Sequence, residues 1–156
     1  MNVSAIGVIH SPHKQPAGVP VQAALAAGVT GTVEVFPEYA AGLRDLDGFE
    51  RIWLLYWFDR VKAAEMTVKP YLDTAERGLF ATRAPSRPNP IGLSAVRLMR
   101  LEGNTLYVDG VDILDGTPLL DIKPYVPRFD AFEAQRIGWL AGATGNQAVA
   151  DGRFEK

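Results

Sequence analysis

Apolar and β-branched residues recur in short stretches along the first third of the chain, and their spacing predicts strands. Residues 3–9 are rich in Val and Ile and run into Ser11-Pro12, which is typical of a strand that ends at a turn. Residues 30–36 alternate polar and apolar side chains, as a strand with one buried face does. Residues 49–58 form a nearly unbroken apolar run, which predicts a central strand buried on both faces.

The second half of the chain carries the same pattern. Residues 93–101 and 105–114 flank a Glu-Gly-Asn turn and predict a hairpin. Residues 119–122 predict the last strand of the core, and residues 77–82 predict a strand before a loop with three prolines. Many short strands without an alternating series of helices favour a barrel over a parallel sheet.

Two short helices and a tail complete the predicted layout. Residues 37–46 begin with Pro and carry an acidic residue in the first turn, so we expect a helix there. Residues 131–140 place apolar side chains near one helical face, which predicts a second helix docked on the barrel. The fold expected is a mainly β protein with a single small barrel over residues 1–140. Residues 141–156, which are small, polar and rich in Gly, are expected to form a mobile tail.

Composition narrows the class of protein. A chain of 156 residues suits one domain, and the absence of Cys excludes disulfides, thiolate nucleophiles and iron–sulfur clusters. The longest apolar run, residues 52–58, is too short to span a bilayer, and the first residues lack the pattern of a signal peptide. We therefore expect a cytoplasmic protein that does not enter a membrane. A net charge of -2 argues against strong non-specific binding of nucleic acid, so any RNA contact is expected to be local.

The loop over residues 80–94 combines a stiff backbone with polar side chains. Pro85, Pro88 and Pro90 restrict the backbone and exclude a helix. Arg83 and Arg87 offer planar donor groups that suit a carboxylate or a phosphate, and a loop that is already ordered loses less entropy on binding. We interpret the loop as a binding platform; a Pro-rich connector with solvated arginines is the alternative.

Two further polar groupings have both a structural and a functional interpretation. Asp115-Gly116 predicts a tight turn within residues 112–118, which would let backbone groups approach a ligand. An ordinary turn between strands is the alternative. Asp121, Lys123 and Tyr125 fall on one side of a strand, either as a structural ion pair or as an edge that meets RNA.

Known nucleotide and metal motifs are missing from the sequence. No Gly-x-Gly-x-x-Gly follows a predicted strand, and no phosphate loop ends in Gly-Lys-Ser/Thr. His10 and His13 have no third ligand at a metal-motif spacing, so no metal site is predicted.

Three motifs together resemble one family. They are LDGFERIWLLYWF at 46–58, ATRAPSRPNPIGLS at 81–94 and DILDGTPLLDIKPY at 112–125. The chain resembles the TsaA-like family, the TrmO type of S-adenosylmethionine-dependent tRNA methyltransferase, from about residue 6 to residue 125. The resemblance implies a small β-barrel that binds S-adenosylmethionine, forms a homodimer, and methylates N6 of the threonylcarbamoyl-modified adenosine beside the tRNA anticodon.

The resemblance also assigns roles to residues. The cofactor-binding positions that it implies are Pro20, Val21, Gln22, Asp59, Arg60, Arg83, Leu93, Asp112, Leu114, Asp115, Gly116, Thr117 and Pro118. Longer bacterial members carry His where this chain has Asp59 and add a C-terminal domain, so a histidine at this position is not the general base here. Arg87, Lys123 and Tyr125 are expected to face the RNA.

Methyl transfer to an exocyclic amine depends mostly on positioning, helped by acceptors near N6. Asn89, Ser94 and Asp115 are the candidate catalytic residues, with Asp112 a further available acceptor. One rival interpretation is a non-catalytic barrel that binds S-adenosylmethionine or a related nucleoside. Another is a plain nucleic-acid-binding barrel of OB-like character, against which the acidic composition counts.

Overall fold

The computed structural model describes residues 2–143 and 149–154. Within these residues the strands are β1 (Gly7–His10), β2 (Thr30–Val35), β3 (Arg51–Trp57), β4 (Thr67–Val68), β5 (Arg77–Gly78), β6 (Ile91–Glu102), β7 (Thr105–Asp109) and β8 (Thr117–Pro124). No helix in this part of the chain is long and apolar enough to cross a membrane.

A closed antiparallel barrel forms the centre of the molecule, with strand order β1-β2-β7-β6-β3-β8. Ile9 on β1 lies opposite both Val33 on β2 and Thr117 on β8, so β1 completes the ring between an early and a late strand. The predicted barrel is confirmed, and so is the hairpin, since β6 and β7 pair around residues 102–105.

Apolar side chains from all six strands fill the barrel interior. Those exposed by less than 2% include Ile9, Val33, Ile52, Leu54, Val96, Leu106, Val108 and Leu119. Each burial of this kind contributes roughly 1.5–3 kcal/mol relative to an exposed side chain. The core therefore stabilises the fold without a covalent link, as the absence of Cys requires.

β3 is buried on one face only, so the prediction that both of its faces are buried is wrong. Ile52, Leu54 and Tyr56 point inward and are buried, whereas Trp53 and Leu55 point outward and are half-buried. Closure explains the difference: a strand in a barrel turns alternate side chains to the interior, and the described residues cover the outer ones only in part.

The short helix predicted over residues 37–46 is present as the 3-10 helix Pro37–Leu43. The helix predicted over residues 131–140 is wrong. The structure has α1 (Pro127–Asp130) before that range and a 3-10 helix, Gly138–Gly142, at its end. The φ of +61° at Gly138 is incompatible with a continuous right-handed helix at that point.

The long connection between β3 and β6 forms a small annex beside the barrel. The two-stranded sheet β4-β5 lies here, and the strand predicted over residues 77–82 ends at Gly78 because the 3-10 helix Leu79–Ala81 follows. Val68, Leu79 and Ala84 are buried together in the annex, and Phe154 from the end of the chain packs against them. Of the predicted tail, residues 144–148 and 155–156 lie outside the described residues, while residues 149–154 fold back onto the annex.

Candidate functional site

A cavity of about 540 Å³ lies between the annex, the connection from β1 to β2 and the last part of the described chain. Its walls come from four parts of the chain that are distant in sequence. The lining residues are Val21, Gln22, Pro70, Tyr71, Leu72, Phe80, Ala81, Thr82, Arg83, Ala84, Trp139, Leu140 and Phe154. A concave site of this volume with mostly apolar walls and a few polar groups is the usual form of a small-molecule site.

Arg83 supplies the positive charge of this cavity. Its Nη1 donates a hydrogen bond to the side-chain oxygen of Gln22, and the Gln22 amide in turn donates to the carbonyl of Val21 at 2.6 Å. No carboxylate of the described residues lies within ion-pair distance of Arg83. The guanidinium is held in place but keeps its charge available for an anionic group.

Arg87 and Phe80 form a second feature at the rim of the cavity. Arg87 Nη1 donates to the carbonyls of Thr82 at 3.1 Å and Ala84 at 3.3 Å, which hold the side chain across its own loop. Its guanidinium lies 5.7 Å from the centre of the Phe80 ring, and Phe80 is 75% exposed. An aromatic ring with a cation near it and three quarters of its surface in solvent can stack on a planar ligand.

The Asp115 turn lies against the end of β1 and is held by several contacts. Asp115 accepts hydrogen bonds from Lys14 Nζ at 2.6 Å and from the Ser11 amide at 3.1 Å, while Arg60 Nη2 donates to its backbone carbonyl at 2.6 Å. The Lys14 ammonium, followed by the Ser11 amide, holds the pKa of the Asp115 carboxyl below its usual value. A carboxylate held ionised in this way is a weak base, and its contacts anchor the turn.

The turn depends on Gly116, whose φ of +80° favours glycine, and on Thr117, whose buried hydroxyl donates to the carbonyl of Leu114 at 2.7 Å. Arg60 also lies within 3.5 Å of the Lys14 carbonyl, so it ties this turn to the loop after β1. The predicted cofactor positions Arg60, Leu114, Asp115, Gly116 and Thr117 are thus brought together as one structural unit.

Ser94 and Asp112 belong to a buried chain of polar groups at the barrel wall. The Ser94 hydroxyl donates to Asp112 Oδ1 at 2.6 Å and lies 3.0 Å from the Tyr56 hydroxyl. Burial raises the pKa of Asp112, although the Ser94 hydrogen bond opposes the shift. Burial, followed by the charge of Asp112, raises the pKa of Tyr56. Ser94 is only 3% exposed and does not line the cavity, so its contacts are internal.

Like the Asp115 turn, which does not line the cavity, the remaining predicted residues lie apart from it or at its margins. Asn89 and Asp59 are exposed in loops, Pro20 pairs with Val149 next to the cavity, and Pro118 lies on β8 opposite Val8. Leu93 points away from the barrel and is 54% exposed.

The predicted RNA-facing strand edge forms contacts within the protein. Lys123 makes an exposed ion pair with Asp121 at 2.8 Å, and Tyr125 lies 5.4 Å from Trp53 in an edge-to-face arrangement. Exposed ion pairs of this type contribute little to stability, so the contacts leave both interpretations of these residues open.

Sequence reasoning missed the aromatic walls of the cavity. Tyr71, Phe80, Trp139 and Phe154 line it, yet they come from separate segments without a shared motif. The sequence signal for them is the cluster of apolar residues at 137–140, which predicts a helix face. Within the described residues, no group of three or more His, Cys, Asp or Glu side chains could hold a metal ion.

The chain is similar to proteins of known sequence and structure. Residues 8–131 match the family described as the tRNA-methyltransferase O N-terminal domain. A probable S-adenosyl-L-methionine-binding protein of Pyrococcus abyssi is 56% identical over 151 residues, which are 96% of this chain and 82% of the relative. A tRNA (adenine(37)-N6)-methyltransferase of Mus musculus is 42% identical over 98 residues, 61% of this chain and 22% of the mouse protein.

A crystal structure of TrmO from Pseudomonas aeruginosa has the same fold, with a TM-score of 0.74 and 40% identity. The match covers 89% of this chain but only 62% of the Pseudomonas chain. This chain therefore spans less than two thirds of that protein and a smaller part of the mouse enzyme.

Proposed function

The chain belongs to the tRNA-methyltransferase O N-terminal domain family, and on that premise we propose that it is an S-adenosylmethionine-dependent methyltransferase. The acceptor we propose is N6 of the threonylcarbamoyl-modified adenosine next to the tRNA anticodon. The observation that carries the proposal is the meeting of Val21, Gln22 and Arg83 at one cavity, because the resemblance implied all three as cofactor contacts. We also propose a cytoplasmic location, where the protein would meet tRNA.

The cavity fits the chemistry of S-adenosylmethionine, which combines a nucleoside with a charged amino-acid group. Arg83 has no acidic partner among the described residues and suits the carboxylate of such a ligand, with Gln22 as a neighbouring polar contact. Tyr71, Trp139 and Phe154 offer aromatic walls for the nucleoside. When bound, this cofactor supplies an electrophilic methyl group on a positively charged sulfur.

The protein's part in the reaction is to orient the acceptor amine toward the methyl group and to exclude other orientations of the amine. Asn89 is the predicted catalytic residue best suited to this role. Its side chain is exposed and makes no hydrogen bond within the described part of the chain, so its amide oxygen can accept an N–H of the acceptor. Asp115 is committed to Lys14 and Ser11, and Ser94 is committed to Asp112, so neither side chain is as well placed as Asn89 to accept an N–H of the acceptor.

Arg87 is proposed to face the RNA from the rim of the cavity. It lies beside the exposed Phe80 and carries a charge that no described carboxylate neutralises. Lys123 is proposed as a phosphate contact further out, because its exposed pair with Asp121 can be exchanged for RNA at small cost. These local charges allow RNA binding by a protein whose net charge is -2.

We further propose a homodimer formed through the outer apolar face, defined as Trp53, Leu55, Trp57, Ile91 and Leu93. Cross-strand pairing sets Leu55 opposite Leu93 and Trp57 opposite Ile91, which makes one continuous apolar surface on β3 and β6. Ile91 and Leu93 are 42% and 54% exposed. A second copy of this chain would bury this surface and bring Leu93 into a shared site.

The decisive experiment compares tRNA nucleosides by mass spectrometry in cells with and without this protein, and repeats the reaction with purified components. The proposal expects loss of a methyl group from the threonylcarbamoyl-modified adenosine and its return on adding the protein and S-adenosylmethionine. The rival function is binding without turnover, favoured by the Pyrococcus relative being named for binding alone. Calorimetric binding of S-adenosylmethionine with unchanged tRNA nucleosides would establish that rival.

A further inference from the structure

The cavity is completed by a part of the chain that lies beyond the family match. That match ends at residue 131, whereas Trp139, Leu140 and Phe154 line the cavity. We call residues 138–142 and 149–154 the C-terminal segment. It contributes wall residues that no family motif in this sequence contains.

Backbone hydrogen bonds join the C-terminal segment to the stretch that carries Val21 and Gln22. The Ala150 amide donates to the Val19 carbonyl at 2.6 Å, and the Gly18 amide donates to the Ala150 carbonyl at 2.9 Å. Val149 and Pro20 form an antiparallel bridge next to these hydrogen bonds. The segment is therefore paired with the chain directly before two of the proposed cofactor contacts.

Side chains fix the segment to the annex on the other side of the cavity. Arg153 Nη1 donates to the Pro70 carbonyl at 2.8 Å, and the Arg153 guanidinium lies 5.0 Å from the centre of the Tyr71 ring. Phe154 packs edge-to-face on Tyr71 with ring centres 5.1 Å apart. These two aromatic residues are thus already engaged with each other and with Arg153.

Trp139 is held differently, as a wall of the cavity. Its Nε1 donates to the Ala81 carbonyl at 2.8 Å, directly beside Thr82 and Arg83. The Arg77 guanidinium lies 5.8 Å from its ring centre, and the ring is half-buried. An indole fixed at its nitrogen and lining a cavity offers a rigid planar surface at little further cost in side-chain entropy.

We propose that Trp139 stacks on the nucleoside base of the ligand, while Arg83 binds its carboxylate. This inference rests on the proposed function, since it assumes that the ligand is S-adenosylmethionine. Every nucleobase has a π-face, and an aromatic side chain stacked on it contributes enough that its removal costs on the order of tenfold in affinity or more. The cofactor site of this chain therefore extends past the region that the family motifs define.

The test measures S-adenosylmethionine binding by calorimetry for the unaltered protein, Trp139→Ala, Trp139→Phe and Phe132→Ala. Phe132 is the matched control because it is an aromatic residue of the same part of the chain but is 83% exposed and outside the cavity. We expect roughly tenfold or greater weakening in Trp139→Ala, near-normal affinity in Phe132→Ala, and an intermediate value in Trp139→Phe, which keeps a ring but loses the Nε1 donor. Thermal melting of each variant checks that it is folded.

Fluorescence gives an independent readout. Ligand binding should change the tryptophan emission of the unaltered protein, and this change should be lost in Trp139→Phe, although Trp53 and Trp57 remain. Equal affinity in folded Trp139→Ala and the unaltered protein would overturn the stacking role alone. Absence of binding by the unaltered protein would overturn the proposed cofactor and this inference together.

Discussion

Arg83 and Lys123 carry the same charge in different surroundings, and this separates their expected roles. Arg83 lies in the cavity wall without an acidic partner among the described residues, whereas Lys123 already pairs with Asp121 on an exposed edge. We expect Arg83→Ala to weaken S-adenosylmethionine binding roughly tenfold or more, since a hydrogen bond to a charged group contributes about 1.5–3 kcal/mol. Calorimetry with the purified variant measures this directly.

Lys123→Ala is the matched comparison. It should leave cofactor affinity nearly unchanged and reduce tRNA methylation through weaker RNA binding, because a phosphate contact acts on RNA affinity alone. Equal losses of cofactor affinity in the two variants would contradict the division of the site. Unchanged affinity for S-adenosylmethionine in Arg83→Ala would show that Arg83 is a solvated side chain that does not bind the cofactor.

The raised pKa of Asp112 predicts how the stability of the protein depends on pH. Burial raises its pKa in the folded protein, so the folded state holds a proton that the unfolded state releases above about pH 3.9. Stability should therefore fall as pH rises from that value through the folded pKa, and the loss should then stay constant. The lowered pKa values of Asp73 and Asp115 act in the opposite direction and below this window.

Asp112→Asn isolates this effect because the amide oxygen can still accept the hydrogen bond from Ser94. Denaturant unfolding at several pH values between about 4 and 8 measures the free energy of unfolding of both proteins. As pH rises, Asp112→Asn should become more stable relative to the unaltered protein. Parallel curves for both proteins across that range would show that Asp112 does not carry the effect.

At the scale of the elements, patterns within one strand were enough to predict most of the barrel. The alternation over residues 30–36 identified β2, and the Glu-Gly-Asn turn identified the hairpin of β6 and β7. The two faces of β3 could not be distinguished, because both are apolar in sequence and only closure of the barrel decides which is covered. The positive φ of Gly138 interrupts the helix predicted over residues 131–140 near its end. The cavity walls could not be predicted, because their residues come from separate segments that meet only in three dimensions.

β6 contains a glycine whose substitution should be costly. Gly92 lies opposite Tyr56, and a methyl group added at Gly92 would overlap the Tyr56 ring, which is 4% exposed and tied to Ser94. We expect Gly92→Ala to lower the free energy of unfolding by about 1–3 kcal/mol, as overpacking does. Gly48→Ala is the control, since open space surrounds that position. In urea unfolding, Gly92→Ala should have a lower midpoint than Gly48→Ala. Similar midpoints for the two variants would contradict an overlap at Gly92.

At the scale of the whole molecule, the outer apolar face predicts self-association. Light scattering at micromolar concentration should give the mass of a dimer for the unaltered protein and of a monomer for Leu93→Glu, because a charge would be buried without a partner. Met99→Glu is the matched control: Met99 is 57% exposed on the same strand but lies between Arg97 and Arg100. A monomeric unaltered protein, or a dimer that persists in Leu93→Glu, would exclude this interface.

The closure of the barrel also constrains how the protein is made. β1 needs β8 as a neighbour, and the pairing of Ile9 with Thr117 joins residues from nearly opposite ends of the barrel sequence. Contacts between such distant residues form late and slow the search for the native state. A nascent chain that has not yet released β8 from the ribosome would expose two unpaired strand edges, on β1 and β3, both open to pairing with other chains. Until β8 is available, these two edges are therefore the parts of the barrel most open to pairing with another chain.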